Sequence, residues 1–276
     1  MTDRRRVDRV LVTGACGGLG SAVTTLLAAR GITVFAADLE AAVRSRSEWP
    51  PNVVPLAMDV TNTSSVAVAI AEVAAAADAG PALDGLACCA GVFTGGPLAE
   101  ASEAALLRAF DVNVMGAHRL VAEAFPHLAR RGGTVVFISS ESARFAMPFN
   151  GPYTVSKYAL EVYGDCLRRE LLLTGVRVAI IQPGSFRSGL VTAARDADGA
   201  PAKGSPFVRQ VEMVRGMLVR ERERSMAPQE VARVVVRALL AHRPRARYRV
   251  GNNRLRMLAR FLPTRAADAV IKLVMR

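Results

Sequence analysis

The chain has 276 residues, of which 51% are hydrophobic and 22% are charged. At about 100–200 residues per domain this length suits one large domain, and the balance excludes a chain that is disordered throughout. Polar residues and glycines interrupt the apolar runs before they reach the roughly 18 residues of a membrane-spanning helix, so no transmembrane segment is predicted. Glycines also interrupt the first apolar stretch, and an export signal is therefore not predicted.

The net charge of +12 is concentrated near the C-terminus. Residues 1–194 hold 17 basic and 17 acidic side chains, whereas residues 195–276 hold 19 basic and 7 acidic ones. A basic segment of this kind attracts anionic lipid, nucleic acid or an anionic substrate, or is a solvated surface. Few aromatic residues interleave with its arginines, so no nucleic-acid partner is predicted.

The cysteines and histidines do not indicate a metal site or a disulfide framework. Cys16, Cys88, Cys89 and Cys166 lack metal-ligand spacing, and so do the three histidines. Unpaired thiols are typical of a reducing compartment. We therefore predict a cytoplasmic protein without a metal.

Apolar runs of strand length alternate along the chain with alanine- and leucine-rich stretches of helical length. The predicted strands are Arg9–Thr13, Ile32–Ala37, Val53–Ala57, Leu83–Cys89, Gly133–Ser139, Val176–Gln182 and Arg247–Val250. The predicted helices are Ser21–Arg30, Ser64–Ala79, Ser102–Arg130, Gly151–Thr174 and Pro228–His242. This alternation predicts an α/β fold, a doubly wound Rossmann fold whose central parallel sheet of about seven strands carries helices on both faces.

Residues 1–250 are predicted to form one dinucleotide-binding catalytic domain, and residues 251–276 a basic amphipathic helical extension. The irregular segment near 185–225 is predicted to be a substrate lid, because long loops in compact domains are usually lids. In the extension, two short helices are split at Pro263, and Leu255, Leu258 and Leu262 share one helical face while Arg256 and Arg260 point elsewhere. Such an extension can lie on an anionic membrane, fold back on the domain or form a subunit contact.

A glycine-rich turn, Thr13–Gly20, separates the first predicted strand from the first predicted helix. Glycines permit a sharp turn and close backbone approach, and the helix then presents free N–H groups to a pyrophosphate. Asp38 lies 18 residues beyond Gly20. Its carboxylate can accept hydrogen bonds from the adenosine ribose and would repel a 2′-phosphate, which predicts NAD as the cofactor. The glycine turn contains no basic residue, and the nearest downstream arginine is Arg44.

Tyr153 and Lys157 form a second group with chemical meaning. Positions four apart share one face of a helix, so the ammonium of Lys157 is expected beside the phenol of Tyr153. A neighbouring cation stabilises phenolate, and we therefore predict that Lys157 lowers the pKa of Tyr153. Since the chain has four tyrosines and only three lysines, this pairing is rarely produced by chance. Ser140 lies thirteen residues before Tyr153.

These motifs resemble the short-chain dehydrogenase/reductase family over residues 9–250, together with Asp59-Val60, Cys88–Gly91, Asn113 and Pro183-Gly184 in this order. Residues 148–161 are similar to steroid and retinol dehydrogenases. The resemblance implies that Tyr153 is the general acid/base and that Lys157 tunes its pKa and binds the nicotinamide ribose. It also implies that Ser140 holds the substrate oxygen and that Asn113 keeps a water in a proton relay.

The resemblance also implies a cofactor site, with two departures from the family pattern. Its residues are Thr13, Gly14, Gly18, Leu19, Gly20, Asp38, Leu39, Asp59, Val60, Cys89, Ala90, Gly91, Tyr153, Lys157, Pro183, Gly184 and Ser188. The usual Asn-Asn-Ala-Gly of the family is Cys88–Gly91 here, and Ser188 replaces a threonine. The family's asparagines mostly brace the sheet, so we expect their loss to affect local rigidity more than hydride transfer.

The resemblance implies hydride transfer between NAD(H) and a hydrophobic secondary alcohol or ketone, catalysed by a homodimer or homotetramer. Two alternatives stay open. An NADPH-dependent carbonyl reductase is disfavoured by Asp38. A regulatory protein that senses NAD without turnover would keep the glycine turn but would not need Ser140, Tyr153 and Lys157 together.

Overall fold

Seven parallel strands form the centre of the computed structural model, in the order β3-β2-β1-β4-β5-β6-β7. The structure describes residues 7–76, 83–188, 199–223, 225–259 and 261–275. The strands are β1 (Arg9–Thr13), β2 (Thr33–Asp38), β3 (Val53–Ala57), β4 (Gly85–Cys88), β5 (Thr134–Ile138), β6 (Arg177–Pro183) and β7 (Arg247–Val250). The predicted α/β Rossmann fold with a seven-stranded parallel sheet is confirmed.

The helices cover both faces of this sheet. They are α1 (Gly18–Ala28), α2 (Glu40–Ser45), α3 (Thr63–Ala75), α4 (Glu103–Phe110), α5 (Gly116–Ala129), α6 (Gly151–Leu171), α7 (Val208–Glu223), α8 (Pro228–Leu240), α9 (Arg254–Ala259) and α10 (Thr264–Val274). One core lies between the sheet and α3, α5 and α6, and the other lies between the sheet and α1 and α8. Because central strands are buried on both faces, β1 is a continuous apolar run in which Val10, Leu11 and Val12 are fully buried.

The strand order fixes where a ligand can bind. The chain runs outward from β1 to β2 and β3 on one side, then returns to place β4 on the other side of β1. In sheets of this kind the connections diverge between these two strands and leave a crevice at their carboxyl ends. Thr13 ends β1 and Cys88 ends β4, and the two residues are neighbours in the sheet.

The predicted helix Ser102–Arg130 is wrong as a single α-helix. The structure has α4, then a π-helical segment Asp111–Met115, then α5. Asn113 lies in the π-helical segment, and its side chain is buried. Such π-helical turns are rare and frequently occur at functional sites.

Two helices were missed by the sequence prediction. α2 follows β2, and α7 lies within the predicted lid. In α7, Val211 and Val214 are buried with the i, i+3 spacing of a helix that packs on one side. The prediction of a lid near 185–225 also covers residues 189–198 and 224, which lie outside the described residues.

The C-terminal extension contains two helices separated around Pro263, as predicted. However, α9 ends at Ala259, so Leu262 does not continue its face. Arg256 does not point away from the domain, because its guanidinium contacts Glu141 and Glu221. Among the described residues, none of the helices combines the length and the apolar character needed to cross a bilayer.

Candidate active site

The glycine turn after β1 requires glycine at two positions. Gly14 has a φ of +65°, and a Cβ added there would lie 2.9 Å from the backbone nitrogen of Ala90. A Cβ at Gly20 would collide with the carbonyl oxygen of Gly14. The turn therefore packs backbone against backbone, and α1 begins inside it at Gly18, earlier than the predicted start at Ser21.

Asp38 ends β2 beside this turn. Its carboxylate accepts hydrogen bonds from the backbone N–H of Cys16 at 2.8 Å and of Leu39 at 2.8 Å. The two bonds hold the carboxylate in a fixed orientation at the edge of the glycine turn.

The two arginines that follow β2 make different contacts. Arg44 forms an exposed ion pair with Glu40. Arg46 instead donates a hydrogen bond of 3.1 Å to the hydroxyl of Ser21, in the first turns of α1, and stacks on Trp49. A guanidinium therefore lies at the helix that follows the glycine turn.

The two cysteines that depart from the family pattern lie where β4 ends: Cys88 is its last residue, and Cys89 begins the loop that follows. The hydroxyl of Thr13 accepts a hydrogen bond of 3.2 Å from the N–H of Ala90, which fixes this loop to β1. Burial raises the pKa of the Cys88 thiol, and it raises that of Cys89 to about 12. Both thiols are therefore neutral at physiological pH; Cys88 is buried, and Cys89 is partly exposed and lines the cleft.

Asn113 holds the next residues of the same loop. Its Oδ1 accepts a hydrogen bond of 2.9 Å from the N–H of Val92, and its Nδ2 donates to the carbonyl oxygen of Val92 at 3.0 Å and to Ser156 at 2.9 Å. Ser156 in turn donates to the carbonyl oxygen of Tyr153. The amide thus connects the loop after β4 to the helix that carries Tyr153. That Asn113 also keeps a water in a proton relay stays a prediction.

Tyr153 and Lys157 lie on one face of α6, but the electrostatics differ from the prediction. The Nζ of Lys157 lies 5.7 Å from the centre of the Tyr153 ring and donates a hydrogen bond of 2.9 Å to the carbonyl oxygen of Ile138. Burial raises the pKa of Tyr153, a hydrogen bond with Ser140 opposes this, and the charge of Glu141 adds to it. The net shift of the Tyr153 pKa is therefore upward, opposite to the predicted lowering, because desolvation of the phenolate outweighs the other effects. That the Lys157 ammonium opposes this upward shift stays a prediction.

Lys157 is itself perturbed by its position. Its side chain is buried, and burial lowers its pKa to about 8. Desolvation disfavours the charged form of an amine, so Lys157 binds its proton less tightly than an exposed lysine does.

A cleft of about 660 Å³ joins these groups. Most of the predicted site residues line it: Thr13, Gly14, Gly18, Leu19, Gly20, Asp38, Leu39, Asp59, Val60, Cys89, Ala90, Gly91, Tyr153, Lys157 and Ser188. Asn113, Ser140, Pro183 and Gly184 are not among the lining residues. Asn113 lines a small adjoining pocket behind the cleft wall. Ser140 does not line the cleft itself, but its side chain lies near that of Tyr153.

Comparison with known proteins identifies the family. The family profile described as short chain dehydrogenase matches residues 8–199. The chain belongs to the short-chain dehydrogenase family. It is similar to retinol dehydrogenase 16 of Homo sapiens, with 30% identity over 95% of this chain and 87% of that protein. The predicted resemblance to retinol dehydrogenases is thereby confirmed.

Two other relatives show the breadth of this family. An NADPH-dependent 3-dehydrocapnine reductase of Ornithobacterium rhinotracheale is 30% identical over 94% of each chain. The crystal structure of a short-chain dehydrogenase from Streptomyces avermitilis superimposes with a TM-score of 0.75 and 27% identity, over 98% of this chain and 96% of that one. This short-chain dehydrogenase is therefore an oxidoreductase with a fold that binds a nicotinamide cofactor.

The residues of the cleft fit such a cofactor. The glycines let the turn pack closely against neighbouring backbone at the mouth of the cleft, and the first turn of α1 presents backbone N–H groups there, as a pyrophosphate requires. The hydroxyl of Ser139, which lines the cleft, is buried without a hydrogen-bond partner. A dinucleotide bound in the cleft would thus contact backbone N–H groups of the glycine turn through its pyrophosphate and polar side chains farther along the cleft.

The sequence prediction missed several residues of this short-chain dehydrogenase that line the cleft. They include Met58, Thr61, Val92, Phe93, Thr94, Arg108 and Val112. The Phe93 ring lies 4.9 Å from that of Tyr153, and the carbonyl oxygen of Thr94 accepts a hydrogen bond from the N–H of Tyr153. The position of Val92–Thr94 directly after Ala90-Gly91 was the available signal. For Arg108, on α4, no sequence pattern indicates the cleft.

Two phenylalanines from the segments before α6 and α7 pack against each other. Phe149 has a φ of +62°, which is unusual for a bulky residue, and its carbonyl oxygen accepts a hydrogen bond of 2.7 Å from Gly96. Its ring lies 5.7 Å from that of Phe207, just before α7. A strained backbone of this kind persists where the surrounding contacts fix it, often at ligand sites.

Proposed function

We propose that this short-chain dehydrogenase catalyses reversible hydride transfer between NAD(H) and a hydrophobic secondary alcohol or ketone of steroid- or retinoid-like character. One observation carries the proposal: Tyr153, whose pKa the neighbouring Ser140 side chain lowers against the effect of burial, lines the same cleft as the glycine turn and Asp38. When bound, the nicotinamide supplies the hydride acceptor or donor. The protein supplies geometry and proton transfer.

Proton transfer is assigned to Tyr153. In the oxidative direction its phenolate accepts the proton of the substrate hydroxyl, and in the reductive direction its phenol returns that proton. Ser140 donates a hydrogen bond to the substrate oxygen as negative charge develops on it. Lys157 would hold the nicotinamide ribose, and its ammonium would counteract the effect of burial on Tyr153.

The cofactor would be held along the cleft by the predicted residues. The glycine turn receives the pyrophosphate, Asp38 the adenosine ribose, and Asp59-Val60 the adenine. Pro183, Gly184 and Ser188 border the nicotinamide. Gly184 lies at the end of β6, and its N–H donates a hydrogen bond to Val250.

The substrate class is supported by the apolar character of the remaining wall. Phe93 and Phe186 line the cleft, and Phe149 and Phe207 lie beside each other at the lid. Pockets lined mainly by apolar side chains, with a few polar groups that orient the reacting atom, suit hydrophobic ligands.

A second candidate is an NADPH-dependent carbonyl reductase. The hydrogen bond between Arg46 and Ser21 favours it, because this guanidinium lies at the start of α1, where it can attract a phosphate. The NADPH-dependent reductase among the relatives supports the same reading. We place NAD first because the carboxylate of Asp38 is fixed at the glycine turn by two backbone N–H groups. A protein that only senses NAD is the third alternative.

We also propose a homo-oligomer in the cytoplasm. Val155, Tyr158 and Val162 are exposed along one face of α6, with the i, i+3, i+7 spacing of a helix that packs against a partner. All four cysteines are free, as expected in a reducing compartment.

The function is tested by a screen of secondary alcohols of increasing length, from butan-2-ol to sterols, with NAD and NADP side by side. The parent protein should reduce NAD with at least one hydrophobic alcohol. The variant Tyr153→Phe should lose about 10²–10⁴-fold in kcat, because the proton acceptor is removed, while NAD still binds.

The matched control is Tyr158→Phe, which alters a partly exposed tyrosine of the same helix. It should retain the parent rate. Activity of Tyr153→Phe within a few-fold of the parent would remove the proposed acid/base, and NAD binding without turnover in the parent would favour the sensor.

A further inference from the structure

Arg256, on α9, connects three parts of the molecule. Its Nη1 donates hydrogen bonds to Glu141 at 2.6 Å and to Glu221 at 3.0 Å, and its Nη2 donates to the other oxygen of Glu221 at 3.0 Å. Glu141 directly follows Ser140, and Glu221 belongs to α7. The C-terminal extension therefore contacts both the serine loop and the lid helix through one guanidinium.

The contact is partly buried and directional. The side chains of Arg256, Glu141 and Glu221 are 25%, 10% and 26% exposed. Burial lowers the pKa of Arg256, but the hydrogen bonds and charges of Glu221 and Glu141 raise it by more, so the guanidinium stays charged. The two-pronged contact with Glu221 fixes orientation as well as distance.

A second bond ties the backbone of the extension to the same glutamate. The N–H of Asn253 donates a hydrogen bond of 2.9 Å to Oε2 of Glu141, whereas Arg256 contacts Oε1. Both carboxylate oxygens of Glu141 are thus engaged by residues 253–256. The neighbouring Ser140 hydroxyl accepts a bond from the N–H of Ser142 in the same turn.

The three charged residues close one end of a small crevice beside the serine loop. Its other lining residues are mostly apolar and come from the segment before α6 and from α7: Ser142, Phe145, Met147, Asn150, Val214, Met217 and Leu218. The width of this crevice depends on how closely α7 approaches the serine loop.

We propose that Arg256 is a positioning residue that holds the lid helix α7 against the loop of Ser140, so that the C-terminal extension completes the substrate site. Glu141 and Glu221 share one guanidinium, and without it their like charges would separate α7 from the loop. The substrate part of this proposal rests on the proposed function, in which Ser140 contacts the substrate oxygen.

The holding role is tested by amide hydrogen exchange on the full chain, which does not depend on activity. In Arg256→Met, exchange in residues 208–221 and 140–143 should accelerate by about ten-fold, with β1, β4 and β5 unchanged. The control Arg265→Met removes an exposed arginine of the same extension and should leave both segments at the parent rate. Unchanged exchange in Arg256→Met would overturn the proposal.

A double variant separates charge from packing. Repulsion between Glu141 and Glu221 is expected to separate α7 from the serine loop in Arg256→Met. If it does, combining Glu221→Gln with Arg256→Met should recover at least half of the protection from hydrogen exchange that Arg256→Met alone loses. A double variant that exchanges as fast as the single one would overturn the like-charge repulsion that the proposal invokes.

Kinetics test the consequence for the substrate. In Arg256→Met, kcat/KM should fall about ten- to hundred-fold for a long secondary alcohol, mostly through KM, and less than three-fold for butan-2-ol, with the Kd of NAD unchanged. Equal losses for both alcohols would contradict a role at the lid. If the parent oxidises no alcohol, the proposed function fails, while the exchange results still decide whether Arg256 holds α7.

Discussion

The proposed preference for NAD rests on a single carboxylate at the glycine turn. Asp38 is held by the N–H groups of Cys16 and Leu39, so it cannot easily turn away from a 2′-phosphate. We expect NAD to be preferred, and we expect Asp38→Ala to narrow the preference by about 1–3 kcal/mol, the scale of one like-charge contact partly screened by solvent. The measurement is kcat/KM with both cofactors.

The control for this prediction is Asp38→Asn, which removes the charge but keeps an acceptor for one backbone N–H. If the charge of Asp38 is responsible, both variants should reduce the difference in kcat/KM between NAD and NADP to a similar extent. If the unmutated protein prefers NADP, Asp38 does not have the proposed role, and Arg46 becomes the residue to replace first.

Tyr153 should give the reaction an alkaline pH dependence. Burial raises its pKa, and oxidation requires the phenolate, so kcat/KM for alcohol oxidation should rise with pH through the neutral and alkaline range. Ketone reduction requires the phenol and should keep its rate until the pH reaches that pKa. Lys157→Met removes the nearby cation, so the rise of kcat/KM for alcohol oxidation should occur at still higher pH.

Rate profiles in both directions over pH 6–10 measure this dependence. Lys157 can itself lose a proton in this range, since its pKa is lowered to about 8, so the parent and Lys157→Met are compared throughout. An oxidative rate that is constant from pH 6 upward would contradict the assignment.

At the level of elements, the π-helical segment Asp111–Met115 positions the loop after β4. Asn113 makes three hydrogen bonds from this segment, two of them to the backbone of Val92. Asn113→Ala would leave the buried N–H and carbonyl of Val92 without these partners, and we expect a loss of about 1–3 kcal/mol in unfolding free energy together with a fall in kcat.

Chemical denaturation and steady-state kinetics measure the two effects. Asn62→Ala is the matched control, because Asn62 caps the N-terminus of α3 through the N–H of Ser65. It should cost about 1 kcal/mol of stability without changing kcat. An Asn113→Ala enzyme with the parent kcat would restrict Asn113 to a structural role.

Over the whole molecule, the C-terminal extension presents apolar side chains to solvent. Phe261 and Leu273 are 74% exposed, and Arg265 and Lys272 add positive charge. We expect the chain to sediment with anionic vesicles at low salt and to be released at high salt, since each basic residue near the surface contributes about 1 kcal/mol. Point variants are preferred to truncation at Asn252, because truncation would also remove Arg256.

The test variant carries Phe261→Ser and Leu273→Ser. The control carries Leu172→Ser and Leu173→Ser, which replace leucines that are 68% and 93% exposed after α6. Sedimentation lost only in the test variant would support the membrane contact. Recovery of the parent in the supernatant with anionic and neutral vesicles alike would reject it.

Sequence alone predicted the succession of strands and helices along the chain, the glycine turn and the pair Tyr153 and Lys157, because each depends on residues close together in the chain. A buried parallel strand is a continuous apolar run, and residues four apart share a helix face whatever surrounds them. These patterns also identified the family. α7 was missed because its apolar residues contact the domain on one side only and follow an irregular segment.

Tertiary structure decided what depends on burial and on contacts between distant segments. It broke the predicted helix at Asn113, whose amide bonds to Val92, 21 residues away. It reversed the expected shift of the Tyr153 pKa, since desolvation is set by everything packed around the ring. It also turned Arg256 inward to Glu141, 115 residues away, because the free energy of a charge depends on the partners that folding brings to it.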